Sequence, residues 1–151
     1  MQHIEILVRR FYECVWNKAD ELAANAVLSP QITFRGSLGT SEKGIEGFLH
    51  YMRSIHNALG GYRCTILDLI PVHDRAAARM QFEGTHRGEF MGIKSTGTVI
   101  SWQGAAFFEM QDRKLSDIWV LGDVDAIRRQ LGARNPEALK FCHQDQDEGN
   151  G

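Results

Sequence analysis

The sequence predicts an α+β fold in which N-terminal helices pack on one face of a curved, mainly antiparallel sheet. Apolar residues recur with helical spacing before the Gly-Gly pair at residues 60–61, and from Tyr62 onward they alternate with a period of two. The polar segments HDRA and DRK join successive alternating stretches and are typical of hairpin turns. Helices followed by an antiparallel meander give the order of an α+β domain.

The N-terminal part is predicted to contain a helix pair, a short strand and a long helix. NKAD marks the break between the paired helices, and QITFRG predicts a strand over residues 31–35. The long helix has Thr40 or Ser41 as its N-cap and ends at the Gly-Gly pair. The apolar stripes of the first and third helices are Ile4, Leu7, Val8, Phe11 and Val15, and Ile45, Phe48, Leu49, Met52 and Ile55.

Four strands and a terminal helix are predicted for the rest of the chain. The strands are YRCTILDLIPV, RAAARMQFEGTHR, TVISWQGAAFFEMQ and KLSDIWVLGD, and a longer glycine-rich loop, GEFMGIKSTGT, joins the second to the third. DVDAIRRQLG predicts a helix that Asp123 or Asp125 caps and that ends at Gly132, and EALKFC adds a helical turn after Pro136. Residues 1–142 are predicted to be one domain, and the acidic tail 143–151 to be disordered because it contains no apolar residue.

Composition narrows the class of protein. The 151 residues carry a net charge of -2, and the basic residues are scattered, so neither nucleic acid nor an anionic membrane is an expected partner. No apolar run has the length of a signal peptide or a membrane span, and we expect a cytoplasmic protein. Cys14, Cys64 and Cys142 are too far apart for a CxxC pair, so reduced thiols are expected and a zinc site is not.

The second half of the chain carries motifs of a known family. The GTHRGEFMGI run, the TG before an SW strand, the KLSDIWV strand and the D…RRQLG ending resemble the SnoaL-like polyketide cyclase (ester cyclase) family of the nuclear transport factor 2-like superfamily. The resemblance implies a cone-shaped α+β barrel with a deep apolar cavity and a homodimer that forms through the outer sheet face. The superfamily uses this cavity for ring closure, isomerisation, hydrolysis, dehydration and plain binding, so the fold does not settle the function.

The family's active site does not carry over intact. The essential acid of anthracycline-type cyclases matches Val120, and their accessory histidine matches Ala106. The phenol of ketosteroid isomerases matches Tyr12, but their base and second acid fall near Arg35 and Ala106. Asp123 stands where the wider ester-cyclase group has an aspartate.

His86 is the first candidate catalytic residue because it falls in the apolar register of its strand. An imidazole on the wall of a cavity can act as a base or acid near neutral pH. The alternatives are a histidine whose nitrogens are satisfied by a loop carbonyl, or a register changed by a bulge at Gly84.

Two aspartates complete the catalytic candidates. Asp123 lies between a strand and a helix, a position that suits an N-cap as well as a catalytic acid, and Asp125 could take the cap instead. Asp68 lies among apolar residues on both sides, where a buried carboxylate would have a raised pKa unless it paired with a neighbouring arginine such as Arg79.

Substrate-binding candidates are polar groups near the apolar stripes together with the aromatic residues. Arg35 could hold an enolate or carboxylate with its bidentate fork, or be an exposed strand-end residue. Tyr12 could donate to a substrate carbonyl, or belong to the core. Phe90 and Met91 are expected at the mouth or lid. The aromatic residues predicted to line the pocket are Trp16, Phe48, Phe82, Phe90, Trp102 and Trp119.

The predicted function is cofactor-free acid/base chemistry on a hydrophobic carbonyl compound. A base among His86, Asp123 and Asp68 removes a proton next to a carbonyl, and Tyr12 or Arg35 stabilises the enolate oxygen. No metal-binding, nucleotide-binding or acyl-enzyme motif is present in the sequence. Two alternatives remain: an epoxide or ester hydrolase, for which Asp68, Asp123 and Arg35 would have to meet, and a non-catalytic binding or dimerisation module.

Overall fold

The computed structural model describes residues 1–132, which form four α-helices and six strands. The predicted helical turn after Pro136, Cys142, the domain boundary and the tail lie outside these residues. A π-helical segment, Phe11–Trp16, continues the first helix directly. The helices are α1 (His3–Arg10), α2 (Glu21–Val27), α3 (Gly44–Ala58) and α4 (Val124–Gly132), and the strands are β1 (Leu28–Arg35), β2 (Ser41–Lys43), β3 (Leu59–Val72), β4 (Arg75–His86), β5 (Val99–Gln111) and β6 (Lys114–Gly122).

The strands form one sheet in the order β2-β1-β6-β5-β4-β3. All neighbours pair antiparallel except β1 and β6, which are parallel. The helices cover one face, and a single apolar cluster fills the space between them and the sheet. The predicted α+β fold is confirmed.

The two predicted hairpin turns are present, and their backbone explains their sequences. Asp112 and Arg113 between β5 and β6 both have positive φ, 51° and 63°. Two consecutive positive φ values are typical of the type I′ turn, whose twist matches that of the flanking strands. His73 in the turn between β3 and β4 also has a positive φ of 56°.

The start of α3 differs from the prediction. Residues 41–43 form the short edge strand β2, and α3 begins after Lys43, which makes no side-chain capping bond. Neither Thr40 nor Ser41 is therefore the N-cap. The reason is tertiary: β2 pairs with the end of β1, and that pairing takes up the residues that would otherwise start the helix.

Strand alternation decides which side chains reach the helices. On β4 every second residue from Ala76 to His86 is buried, and the pairing of β4 with β5 is unbroken from Arg75 to Thr85. The predicted register of His86 is thus confirmed, and Gly84 is not a bulge on β4. Gly84 is required for close packing, since a Cβ there would lie 2.9 Å from the Cβ of Leu59.

Candidate functional site

The middle of the interior sheet face consists of small apolar residues. Ala106 pairs directly with Ala78 on one side and with Val120 on the other, and all three are buried. Ala106 and Val120 are the positions at which the resemblance places the histidine and acid of the cyclases. This chain therefore has an apolar floor where those enzymes have titratable groups.

Tyr12 lies in the π-helical segment and faces this interior. The segment is defined by hydrogen bonds five residues apart, such as that from the Asn17 N–H to the Tyr12 carbonyl at 2.9 Å. The Tyr12 ring packs edge-on against Phe108, with 6.0 Å between ring centroids. Its hydroxyl is buried without a hydrogen-bond partner among the described residues. Burial raises the pKa of Tyr12 well above its ordinary value, so the hydroxyl stays protonated and able to donate.

Trp102 provides a second unpartnered donor. Its indole N–H is buried and has no acceptor within the described part of the chain. The indole ring lies beside Phe82, Tyr62 and Phe90, with centroid distances of 5.5, 6.1 and 6.4 Å. Buried donors are nearly always paired in folded proteins, so Tyr12 and Trp102 are exceptions among residues 1–132, as is the Thr98 hydroxyl.

Most of the aromatic residues predicted to line a pocket belong to the buried cluster. Trp16, Phe48, Phe82, Phe90 and Trp102 are all buried in the interior cluster. Tyr51 and Tyr62 belong to the same cluster and were missed. A signal for Tyr51 was present, because it lies three residues after Phe48 and four before Ile55 on the apolar side of α3.

His86 is fully buried, and both of its ring nitrogens have partners. Nε2 lies 3.1 Å from the Ile93 carbonyl oxygen, which can only accept, so Nε2 carries the proton. Nδ1 then accepts from the Thr96 hydroxyl at 2.9 Å and from the Thr96 N–H at 3.3 Å. His86 therefore has the loop-carbonyl contact that was the alternative to a catalytic role. The sequence analysis did not identify Thr96 as a partner.

The backbone of His86 binds the same loop, residues 87–98. Its N–H donates to the Thr98 carbonyl at 2.8 Å, and its carbonyl accepts from the Gly97 N–H and the Ser95 hydroxyl. Phe90 is 5 % exposed and points inward, with its ring centroid 6.2 Å from that of His86. His86 therefore anchors a loop that closes one part of the aromatic interior through Phe90.

The two aspartate candidates lie outside the interior. Asp123 is exposed and accepts a hydrogen bond from the Ala126 N–H at 3.1 Å, so it caps α4. Asp125 instead pairs with Arg129 at 3.0 Å. Asp68 is exposed on the outer sheet face, and its predicted partly dry environment is wrong. A register shift on β3 between Ile66 and Asp68 causes this, because one extra residue reverses the face of those that follow.

Arg35 and Trp119 also lie on the outer sheet face, which corrects their predicted place in the pocket. They are cross-strand partners, and the Arg35 guanidinium lies over the Trp119 indole at 5.1 Å. Arg35 also donates to the Val120 carbonyl. Asp68 is on β3 at one edge of the sheet and Arg35 is on β1 near the other, so the convergent set required by the hydrolase alternative does not form.

Two polar contacts missed by the sequence analysis hold the aromatic interior together. The Asn17 side chain donates to the Cys64 carbonyl at 2.9 Å and accepts from the Cys64 N–H at 2.7 Å, which ties the π-helical segment to β3. His56 on α3 stacks on Trp16 and bonds its carbonyl through Nε2 at 2.8 Å. These contacts depend on tertiary proximity and carry no local sequence signal.

The interior of the described chain is poor in charge. Ser37 and His86 are the buried polar residues within 1–132, and no carboxylate is buried there. Across that range no group of three or more His, Cys, Asp or Glu side chains could hold a metal ion. None of the helices in this part of the protein is both long enough and apolar enough to cross a membrane.

Replacing Asp123 with Ala should destabilise the protein without affecting any interior chemistry. Losing an N-cap side chain costs about 1 kcal/mol of unfolding free energy. We expect urea unfolding to show a loss of that size and ligand binding or turnover to stay unchanged. A large loss of turnover in a folded Asp123→Ala protein would instead restore Asp123 as a catalytic acid.

Comparison with known proteins places this architecture in a family. A profile of the SnoaL-like polyketide cyclase family matches residues 6–131. The structure of TsrD from Streptomyces laurentii is 27 % identical, covers 87 % of this chain and 96 % of its own, and superposes with a TM-score of 0.77. No curated protein matches the sequence significantly.

Two further solved structures share the fold at lower identity. IdmH from Streptomyces antibioticus, described as a candidate polyketide cyclase, is 22 % identical over 87 % of this chain and 99 % of its own, with a TM-score of 0.75. A candidate SnoaL-like polyketide cyclase from Jannaschia sp. CCS1 is 15 % identical over 85 % of this chain and 90 % of its own, with a TM-score of 0.76. Because the family profile spans most of the sequence, the chain belongs to the SnoaL-like polyketide cyclase family.

Proposed function

We propose that the chain binds a hydrophobic carbonyl compound in its aromatic interior and promotes enolisation and aldol-type ring closure without a cofactor. The observation that carries this proposal is the buried Tyr12 hydroxyl, which has no partner among residues 1–132. A buried donor left unpaired costs about 1–3 kcal/mol. A substrate carbonyl bound beside Phe108 would accept this hydrogen bond and remove the cost.

The chemistry requires a donor at the place where negative charge develops. When a base takes the proton from the carbon next to a carbonyl, the electron pair moves to the carbonyl oxygen. A donor in a dry interior stabilises that oxygen strongly because there is little water to screen the charge. The enolate carbon then attacks a second carbonyl of the same molecule, and the new alkoxide takes the proton back from the base.

We assign the role of base to His86, with its Nδ1 atom as the proton acceptor. In the neutral ring Nδ1 accepts from the Thr96 hydroxyl, and after protonation it can donate to the same oxygen, because a hydroxyl both donates and accepts. The Thr96 N–H, which donates to Nδ1 in the neutral ring, loses its acceptor in this step. Substrate reaches this atom only if Phe90 moves, so the proposal includes opening of the loop 87–98.

The proposal is tested by proton exchange at carbon. Polycyclic ketones and keto-esters are incubated with the full-length protein in heavy water, and deuterium incorporation is followed by NMR. Exchange above the buffer rate that persists in the Asp123→Ala control supports enolisation in the interior. If the compounds raise the melting temperature but show no exchange, the enzymatic proposal fails.

The second candidate is a non-catalytic binding module, and the apolar floor of Ala78, Ala106 and Val120 favours it. A floor without titratable groups binds a flat apolar ligand but moves no proton. Under this alternative Tyr12 and Trp102 would orient a ligand through its oxygen atoms. The exchange experiment separates the two candidates, because both predict binding and only one predicts deuterium in the ligand.

We also propose that the protein forms a homodimer through an outer apolar patch on β3, β4, β5 and β6. The patch consists of Ile70, Val72, Ala77, Phe107 and Leu121, of which all but Ala77 are more than half exposed. Soluble monomers rarely leave such a contiguous patch in water. Asp68 and Arg79, cross-strand neighbours at its border, offer both charges to a copy related by a two-fold axis.

Replacing Phe107 with Asp should convert the dimer to a monomer, because an aspartate at a closed apolar interface leaves a buried charge unpaired. Sedimentation equilibrium over a hundredfold concentration range measures the mass. Leu22→Asp is the matched control, since Leu22 is 83 % exposed on α2, away from the sheet face. Equal masses for both variants and wild type would rule out this interface.

A further inference from the structure

A pocket opens on the outer sheet face, away from the aromatic interior. It has a volume of about 490 Å³ and lies where β2, β1 and β6 pair. We call it the edge pocket. Its outward-facing side chains form two rows across the strands, Lys43, Thr33 and Asp117 in one and Ser41, Arg35 and Trp119 in the other. The volume lies within the range of small-molecule sites, about 300–1,000 Å³.

Arg35 is the most organised group in the edge pocket. Its guanidinium is held from two sides, by stacking over Trp119 and by donating to the Val120 carbonyl. Among the described residues it forms no ion pair with a carboxylate. A guanidinium has five N–H donors, so most of its fork remains available in a fixed orientation.

The charge around Arg35 favours a ligand with a single negative charge. Lys43 supplies a second cation on the same side of the sheet, and Ser41 supplies a hydroxyl directly opposite Arg35. Asp117, which accepts from the Thr33 hydroxyl, also lines the pocket. The Glu42 carboxylate does not face it, because Glu42 alternates with Ser41 and Lys43 and its side chain lies beside Gly47 of α3. Two cations and one carboxylate leave one net positive charge, which a single carboxylate on the ligand would balance.

The walls favour an aromatic body on that ligand. Trp119 is 39 % exposed, so part of its indole surface is open beside the guanidinium. Its neighbour Phe107, 5.8 Å away between ring centroids, belongs to the outer apolar patch proposed for the dimer. A ring packed against this surface would place its carboxylate at the Arg35 fork. Bidentate pairing with guanidinium is the geometry that a carboxylate prefers.

We propose that the edge pocket is a binding site for a small aromatic carboxylate, with Arg35 holding the carboxylate and Trp119 packing against the ring. The site is on the opposite face of the sheet from Tyr12 and Trp102. It therefore does not depend on the chemistry proposed for the interior, and either proposal can fail without the other.

The three tryptophans allow the two sites to be distinguished in one experiment. The indole N–H signals of the full-length protein are assigned with single Trp→Phe variants and followed by NMR while benzoate or 2-naphthoate is added. We expect a saturable shift of the Trp119 signal, with Trp16 and Trp102 unmoved. Benzamide, a neutral analogue of benzoate, and inorganic phosphate should give at least tenfold weaker binding.

Variants of Arg35 complete the test. Arg35→Gln should weaken benzoate binding at least tenfold, and Arg35→Lys, which keeps the charge but loses the fork, should also weaken it clearly. Arg128→Gln removes an exposed arginine of α4, which belongs neither to the edge pocket nor to the outer apolar patch, and should bind as wild type does.

Three outcomes would overturn the proposal. The first is equal binding of benzamide and benzoate, and the second is an equal loss in Arg128→Gln and Arg35→Gln. The third is a Trp119 shift caused by raising the protein concentration alone, with none added by benzoate, since a second copy of the chain would then occupy the pocket.

Discussion

The Tyr12→Phe protein should exchange carbon-bound protons at least a hundredfold more slowly than wild type, and it should be at least as stable. Removal of one hydrogen-bond donor to a developing oxyanion typically costs 10²–10³ in rate, about 2.7–4 kcal/mol of barrier. The Tyr12 hydroxyl has no hydrogen-bond partner among residues 1–132, and the proposal assigns it to this oxygen.

The expected change in stability on Tyr12→Phe substitution is opposite in sign to that at an ordinary, hydrogen-bonded core tyrosine. A hydroxyl that is buried and unpaired in the free protein loses its bonds to water without replacement, so deleting it relieves about 1–3 kcal/mol. Urea unfolding of wild type and variant measures the difference. A loss of stability in Tyr12→Phe, with an unchanged rate of carbon-bound proton exchange, would show that Tyr12 is a packed core residue.

Tyr51→Phe is the matched control for Tyr12→Phe. Tyr51 is a buried tyrosine of the same aromatic cluster, but its hydroxyl is not among the buried side-chain atoms that lack a hydrogen-bond partner in residues 1–132. Its removal should therefore not stabilise the protein and should not change the exchange rate. Both variants delete one oxygen atom. Only Tyr12→Phe is expected to stabilise the protein, and only Tyr12→Phe is expected to slow the exchange of carbon-bound protons.

The part of the fold that could be predicted from the sequence is the part set by local periodicity. The change of period at Tyr62, the two hairpin turns and the alternation that buries His86 depend on neighbouring residues, and all are present in the structure. The same alternation could have placed Arg35 and Trp119 correctly. Once Phe34 and Val120 face the interior, the residues beside them must face outward.

The rest of the site depends on features without a local signal. The π-helical segment that turns Tyr12 and Trp16 inward has no characteristic composition. The register shift on β3 that moves Asp68 to the outer face is a single-residue irregularity in an otherwise regular strand. The partners of His86 are seven to ten residues further along a glycine-rich loop, and only the folded loop brings them to the ring.

His86→Ala should be the most destabilising of the substitutions considered. It removes the acceptor of the Thr96 N–H and the donor to the Ile93 carbonyl, and it leaves a void beside Phe90. Unsatisfied buried groups and a cavity together are worth about 2–4 kcal/mol. We expect a loss of this size in urea unfolding, together with faster amide hydrogen exchange at residues 93–98.

Loss of activity in His86→Ala alone would not separate a base from an anchor, because an unfastened loop would also disorganise the interior. His86→Gln makes the separation, since an amide can donate to the Ile93 carbonyl and accept from Thr96 but cannot take up a proton at neutral pH. We expect His86→Gln to recover at least half of the lost stability and the amide protection of the loop. Its carbon exchange should stay at least a hundredfold below wild type, the usual size of a general base contribution. If His86→Gln instead exchanges protons as fast as wild type, His86 is the anchor of the loop and the base lies elsewhere.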